Sequence, residues 1–129
     1  MKKQKILNTI ILALFILLSG FVTASAQNKG IAGEWEAEWN AGIGIMTCHY
    51  TFKVDGNVIT GKVSAEMNGT ESESEITDGK IEGDTITFAW MFDKTVKMVY
   101  TGKVNGDEIK FSRRPGSYAT EEAVATRVK

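Results

Sequence analysis

One ten-residue phrase is written three times in this chain: "FKVDGNVITG" at residues 52–61, "GKIEGDTITF" at 79–88 and "GKVNGDEIKF" at 102–111. In each copy an alternating apolar–polar run meets a glycine flanked by Asp, Asn or Glu, and a second alternating run starts at once. Glycine adopts positive φ without steric cost, and Asn or Asp tolerates the neighbouring turn position, so each phrase reads as a β-hairpin tip. The tip glycines Gly56, Gly83 and Gly106 lie about 25 residues apart, room for two strands and two turns. Asn68-Gly69 adds a tight turn and Asp93-Lys94 a weaker one. The tips imply eight strands, near 33–40, 44–55, 57–67, 70–77, 84–92, 95–104, 107–114 and 122–128. No stretch between them carries a helical period; "GSYATEE" (116–122) makes one turn at most, with Thr120 as its cap.

The leading residues read differently. Lys2, Lys3 and Lys5 form a positive segment, Ile10 to Leu18 is unbroken apolar sequence, and Ala24-Ser25-Ala26 supplies a small-residue cleavage pattern. Residues 1–26 are therefore expected to be a secretory signal, and residues 27–129, from Gln27, a single domain that is secreted or periplasmic. The apolar run is shorter than the roughly 20 residues of a membrane span. No cysteine adjoins the cleavage pattern, which argues against a lipid anchor. Loss of three lysines moves the formal charge from −1 to −4. An acidic chain without a basic patch is a poor partner for nucleic acid or for an anionic membrane. Cys48 is the single cysteine, so neither an internal disulfide nor a cysteine metal cage is available, and stability must come from apolar burial. Its neighbours Met46 and Tyr50 share its strand face, so Cys48 reads as a small buried hydrophobe.

Period-two alternation separates the faces. Met46, Cys48, Tyr50, Phe52 and Val54 fall on one side of the second strand, and Thr47, His49, Thr51 and Lys53 on the other. Ile59, Gly61, Val63, Ala65 and Met67 continue the apolar face, as do Ile86, Phe88, Trp90 and Phe92. Val96, Met98, Tyr100, Gly102, Val104, Ile109 and Phe111 complete it. Strands with one dry face, joined in sequence by short hairpins, bury that face together by curling into an up-and-down barrel, which also removes exposed edges. The expected fold is all-β, an eight-stranded antiparallel barrel. A two-sheet β-sandwich is the alternative.

The first strand, "AGEWEAEW", contains Gly33-Glu34-Trp35, which resembles the G-x-W that opens lipocalins and related calycin barrels. In that superfamily the tryptophan closes one barrel end and a late arginine packs over it; Arg113, Arg114 and Arg127 are the candidates here. "FKVDGN", "KIEGDTITF", "GKVNGDEIKFSR" and "TEEAVATRVK" extend the resemblance to small secreted bacterial β-proteins, found alone or as end modules of exported enzymes, with no agreed activity. The chain is shorter than typical lipocalins and lacks their disulfide and terminal helix.

Catalytic constellations are sparse. Asp55, Asp78, Asp84, Asp93 and Asp107 all fall in or beside expected turns. Glu34, Glu36 and Glu38 alternate with the apolar face, and Glu71, Glu73 and Glu75 with Ser72 and Ser74, so both sets point to water. No carboxylate pair for glycoside hydrolysis is indicated. His49, the sole histidine, faces outward and has no metal-ligand spacing around it, so no metal or cofactor is expected. Ser72 and Ser74 face inward without a histidine partner, which leaves no nucleophilic triad. Asn68-Gly69-Thr70 fits a glycosylation sequon that the turn already explains.

What remains is an interior surface. Tyr50, Ser72, Ser74, Trp90 and Tyr100 project inward, with Met67, Met98 and, in register after Phe111, Arg113. Aromatic walls with a few polar groups describe either a filled core or a small-molecule cavity at a barrel mouth. A buried arginine must find partners: Trp35 and chain carbonyls, or an anionic group on a ligand. The expected function is to bind a small apolar or weakly anionic ligand, or a sugar, through Tyr50, Ser72, Ser74, Trp90, Tyr100 and Arg113, as a monomer or weak dimer. One alternative is a carbohydrate-binding or protein-interaction module with Trp39, Trp90 and Tyr118 as an exposed aromatic platform. Another is a lyase, isomerase or hydrolase-associated enzyme working from the interior with tyrosine and arginine.

Overall fold

The computed structural model describes residues 30–129. The secretory-signal reading of residues 1–26 and the start at Gln27 lie outside the described residues. Nine strands follow one another: β1 (Gly33–Asn40), β2 (Ile45–Asp55), β3 (Val58–Met67), β4 (Thr70–Glu75), β5 (Thr77–Glu82), β6 (Thr85–Phe92), β7 (Val96–Asn105), β8 (Glu108–Pro115) and β9 (Glu121–Arg127). Among the described residues there is no helix.

All ladders are antiparallel, and neighbours in sequence are neighbours in space. β1 pairs with β2 on one side and with β9 on the other, where Trp35 lies opposite Arg127. β2–β3, β3–β5, β5–β6, β6–β7, β7–β8 and β8–β9 complete the ring. β4 and β5 are two halves of one strand position, so the wall is a closed, eight-position, up-and-down barrel of lipocalin-like form rather than a sandwich.

The three repeated phrases behave alike. Gly56, Gly83 and Gly106 take φ of 61°, 61° and 62° as the first of two turn residues. Positive φ at that position alone matches the type II′ hairpin, whose twist suits the flanking strands. Asn68 and Gly69, at 53° and 80°, both have positive φ, as type I′ requires.

The fourth strand position departs from expectation. The sequence pattern predicts a strand end at Thr77 with Asp78 in or beside a turn; the chain instead makes a bulge between Thr77 and Lys80, and the strand resumes to Glu82. Asp78 sits at φ 54° and Gly79 lies against Ile59, where a Cβ would overlap the Ile59 carbonyl oxygen. An Asp-Gly pair serves a hairpin or a bulge equally well, because both need a left-handed residue. Here the barrel needs a corner: Ile76 N–H donates to the Gly61 carbonyl at 2.9 Å, and a Cβ on Gly61 would overlap the Thr51 carbonyl oxygen. β4 consequently ladders with β3 alone, and the Ser74 hydroxyl, donating to the Met91 carbonyl at 2.8 Å, reaches across to β6.

The inward faces meet in a ring-packed core. Tyr50, Phe52, Phe88, Tyr100 and Phe111 contact one another with centroids between 4.5 and 6.0 Å apart. Ile59, Val63, Ile86, Ile109 and Ala125 fill around them. Edge and offset ring pairs contribute about 0.5–1.5 kcal/mol each beyond area burial.

Candidate functional site

The connections divide between two barrel ends. All three repeated tips lie at one end, together with the start of β1 and the finish of β9. That end is closed. Trp35 is buried, its Nε1–H donates to the Ile31 carbonyl at 2.9 Å, and the Arg127 guanidinium lies 4.4 Å from its ring centroid. Arg127 in turn donates to Asp107 at 3.1 Å and to the Ala32 carbonyl at 3.2 Å. Of the three arginines expected to cover Trp35, Arg127 does so.

The other end carries the 41–44, 68–69, 93–95 and 116–120 connections. Between them lies a cavity of about 640 Å³, walled by Met46, Met67, Phe92, Val96, Met98 and Pro115. Its floor includes Arg113, and its rim includes Ile43 and Tyr118, 79% and 71% exposed. That volume falls within the span of small-molecule sites. A recess of about 160 Å³ adjoins it through the shared residues Met46, Met67 and Phe92, and Ser72 lines that recess.

Arg113 is the one buried charged residue among those described. β8 delivers it inward two residues after Phe111, directly opposite Glu121 at the start of β9. Its Nε–H donates to Glu121 Oε1 at 2.8 Å, and Nη1–H donates to the Tyr100 hydroxyl at 3.0 Å. Nη2 faces the Met46 sulfur at 3.7 Å, and the guanidinium stacks 4.0 Å from the Trp39 ring centroid. Sequence reasoning offered Trp35 as its aromatic partner; the register gives it Trp39 instead.

Below the floor a hydrogen-bonded chain runs inward. Tyr100 and Tyr50 hydroxyls are 2.8 Å apart, and Trp39 Nε1–H donates to the Tyr50 oxygen at 3.0 Å. Burial pushes both tyrosines well above their ordinary range, so they stay neutral. Burial likewise raises Cys48, against the lowering effect of Arg113 and the tyrosine hydroxyls, and keeps it a thiol. Burial opposes the charge on Arg113, but Tyr100 and Glu121 more than offset it, so the guanidinium remains charged.

Of the six residues proposed from sequence, Arg113 lines the cavity, Ser72 lines its side recess, and Ser74 bonds the β6 backbone. Tyr50, Tyr100 and Trp90 sit in the packed interior beneath. Trp90 Nε1 is buried with no hydrogen-bond partner among the described residues. Burial of Trp39 and Trp90 overturns the exposed aromatic platform, leaving Tyr118 alone at the surface. His49 is on the outer face, 3.8 Å from Glu36. No three His, Cys, Asp or Glu side chains among the described residues form a metal-holding group. Glu121 went unnoticed in sequence because its role depends on the 116–120 loop setting the β8–β9 register. An acid six residues beyond Pro115, near an inward arginine, was the available signal.

No family model matches the chain, and no curated protein sequence matches it. Among solved structures it is similar to a REP1-NXSQ fatty acid transporter, with TM-score 0.47 and 14% identity, covering 77% of this chain and 96% of that one. It is also similar to a mutant of the fluorescent protein UnaG, with TM-score 0.48 and 10% identity, covering 78% of this chain and 98% of the other.

Proposed function

We propose that this chain is an exported binding protein whose open barrel end takes one small, mostly apolar molecule bearing a polar or anionic group. The observation that carries the reading is the pairing of an apolar cavity of about 640 Å³ with a buried, charged arginine in its floor. Apolar walls supply affinity and the guanidinium orients the one polar group, because an unmatched partner there is costly. Export rests on the leading lysines, the apolar run and the small-residue pattern of residues 1–26.

Binding without turnover is favoured by the state of the nearby groups. The tyrosines that an interior lyase or isomerase needs are mutually bonded and packed below the cavity, and burial keeps them from serving as a phenolate base. The carboxylate on the cavity wall, Glu121, is held by Arg113.

Titration with Nile red, a neutral apolar fluorophore, tests the reading. We expect saturable binding of one dye per chain, displaced by small apolar competitors. Ala119→Trp, which places an indole at the rim from a loop position, should abolish it while the barrel stays folded. Dye uptake that is absent, or equal in the variant, removes the proposal.

A further inference from the structure

We propose that Glu121 is an internal stand-in for a ligand carboxylate: it holds Arg113 when the cavity contains no other anion, and an apolar carboxylate takes its place. This rests on reading the open end as a binding site and specifies the chemistry of its ligand.

Three observations combine. The first is an asymmetry of burial. The Arg113 side chain is 1% exposed and that of Glu121 is 27% exposed. The guanidinium is fixed between Trp39, Tyr100 and Met46, so its charge must be matched where it stands. Glu121, by contrast, is the first residue of β9, just after the loop that bears Tyr118 and Ala119 at the rim. A side-chain rotation returns its carboxylate to water.

The second is incomplete use of the guanidinium fork. An arginine presents Nε–H and Nη2–H as parallel donors matched to the two oxygens of a carboxylate. Glu121 engages Nε through Oε1, while among the described residues Nη2 has only the Met46 sulfur at 3.7 Å. A carboxylate free of the chain can take both donors, which the backbone-tethered Glu121 does not.

The third is charge balance. With Glu121 in place the site is neutral, and a second carboxylate added beside it meets like-charge repulsion in a partly desolvated pocket. Binding is therefore an exchange, and its affinity is a difference between two carboxylates on one arginine. The apolar walls contributed by Met67, Phe92, Val96 and Met98 supply what tips the exchange toward the ligand.

Calorimetric titration of decanoate and of decanol into the wild-type chain, Glu121→Gln and Glu121→Asp tests this, with near-ultraviolet circular dichroism confirming the fold of each. Glu121→Gln removes the competing charge and should bind decanoate on the order of tenfold more tightly, with decanol changed less than about twofold. Glu121→Asp keeps the charge on a shorter arm and should fall between, which preserves the test if the glutamine variant is unstable. Weaker decanoate binding in either variant, or equal changes for acid and alcohol, overturns the exchange while leaving a binding site. Failure of decanoate, decanol and Nile red to bind any of the three chains overturns the site itself.

Discussion

The two ends of this barrel are built from the same pair of side chains and put them to opposite use. At each end a β1 tryptophan is buried under an arginine, Trp35 with Arg127 and Trp39 with Arg113, at 4.4 and 4.0 Å. At the closed end the arginine lies toward the surface, tied to Asp107 and the Ala32 carbonyl, and acts as a lid on the core. At the open end the arginine is itself buried over its tryptophan and forms the floor of a cavity. The connections make the difference. Two-residue glycine turns bring strands together tightly, whereas the 41–44 and 116–120 loops hold the rim apart. An arginine–tryptophan pair is thus a seal or a floor according to the loops around it.

The sharpest way to break that comparison is to remove each ring. Trp35→Ala and Trp39→Ala should each destabilise the fold by about 3–5 kcal/mol, the usual loss for a fully buried aromatic. Their effects on ligand should diverge. Trp35→Ala leaves Nile red affinity unchanged once folded protein is allowed for, while Trp39→Ala weakens it by removing the support under Arg113. Denaturant melts and dye titrations on the same samples decide it, and equal dye losses contradict a division of labour between the ends.

The arginines come next. Arg113→Met takes away charge-assisted bonds to Glu121 and Tyr100, and should cost about 1.5–3 kcal/mol, moderated because Glu121 can rehydrate. It should also erase any preference for decanoate over decanol. Arg127→Met removes a partly exposed cover from Trp35 and should cost about 1 kcal/mol with no change in that preference. A preference that survives Arg113→Met places the anion site elsewhere.

The contrast between the ends also explains what the sequence disclosed. The repeated phrases are local chemistry, in which a glycine at a hairpin position states its own φ, so the three hairpin tips and the inward faces from Met46 to Phe111 could be read directly. Arg113 followed from the same alternation. The corner at Asp78-Gly79 was not legible, because the dipeptide alone does not say whether a strand stops or bends. The division between filled core and open mouth was hidden too. Alternation puts Tyr50, Tyr100 and Trp90 inside, but how far along the axis the rings pack is set by strand stagger, which no single strand encodes. Glu121 depended on loop length, and its partner lies across a hairpin whose register the rim residues do not announce.

The polar chain beneath the floor gives the open half a pH signature. Burial pushes Cys48, Tyr50 and Tyr100 above ordinary values of 9.0, 10.0 and 10.0. Below those values folded and unfolded chains hold the same protons, and the stability contribution is fully present. Above them the unfolded chain releases protons that the folded chain keeps, so stability falls as pH rises, by about 1.4 kcal/mol per pH unit for each retained proton. Melting temperature should therefore decline from about pH 9–10 upward, and Tyr100→Phe should flatten the decline. In Tyr118→Phe, which leaves only the two buried tyrosines, tyrosinate absorbance that rises at the ordinary pH in the native protein contradicts the burial of these hydroxyls.

The smallest expected effect separates the two acids that hold the arginines. Asp107 is 69% exposed and sits in the third repeated turn, and its partner Arg127 is itself 26% exposed. An ion pair so wetted contributes well under about 1 kcal/mol, because water screens the attraction and ordering two side chains offsets it. Arg127 also keeps the Ala32 carbonyl and the Trp35 face when the acid is lost. Asp107→Asn retains a turn-competent side chain, so the hairpin has no reason to open. The variant should melt within a few degrees of wild type and bind every probe identically, where Glu121→Gln leaves a buried cation short of its counter-charge. If Asp107→Asn proves as damaging as Glu121→Gln, the charge at the closed end is structural, and burial no longer distinguishes the arginine that seals from the arginine proposed to bind.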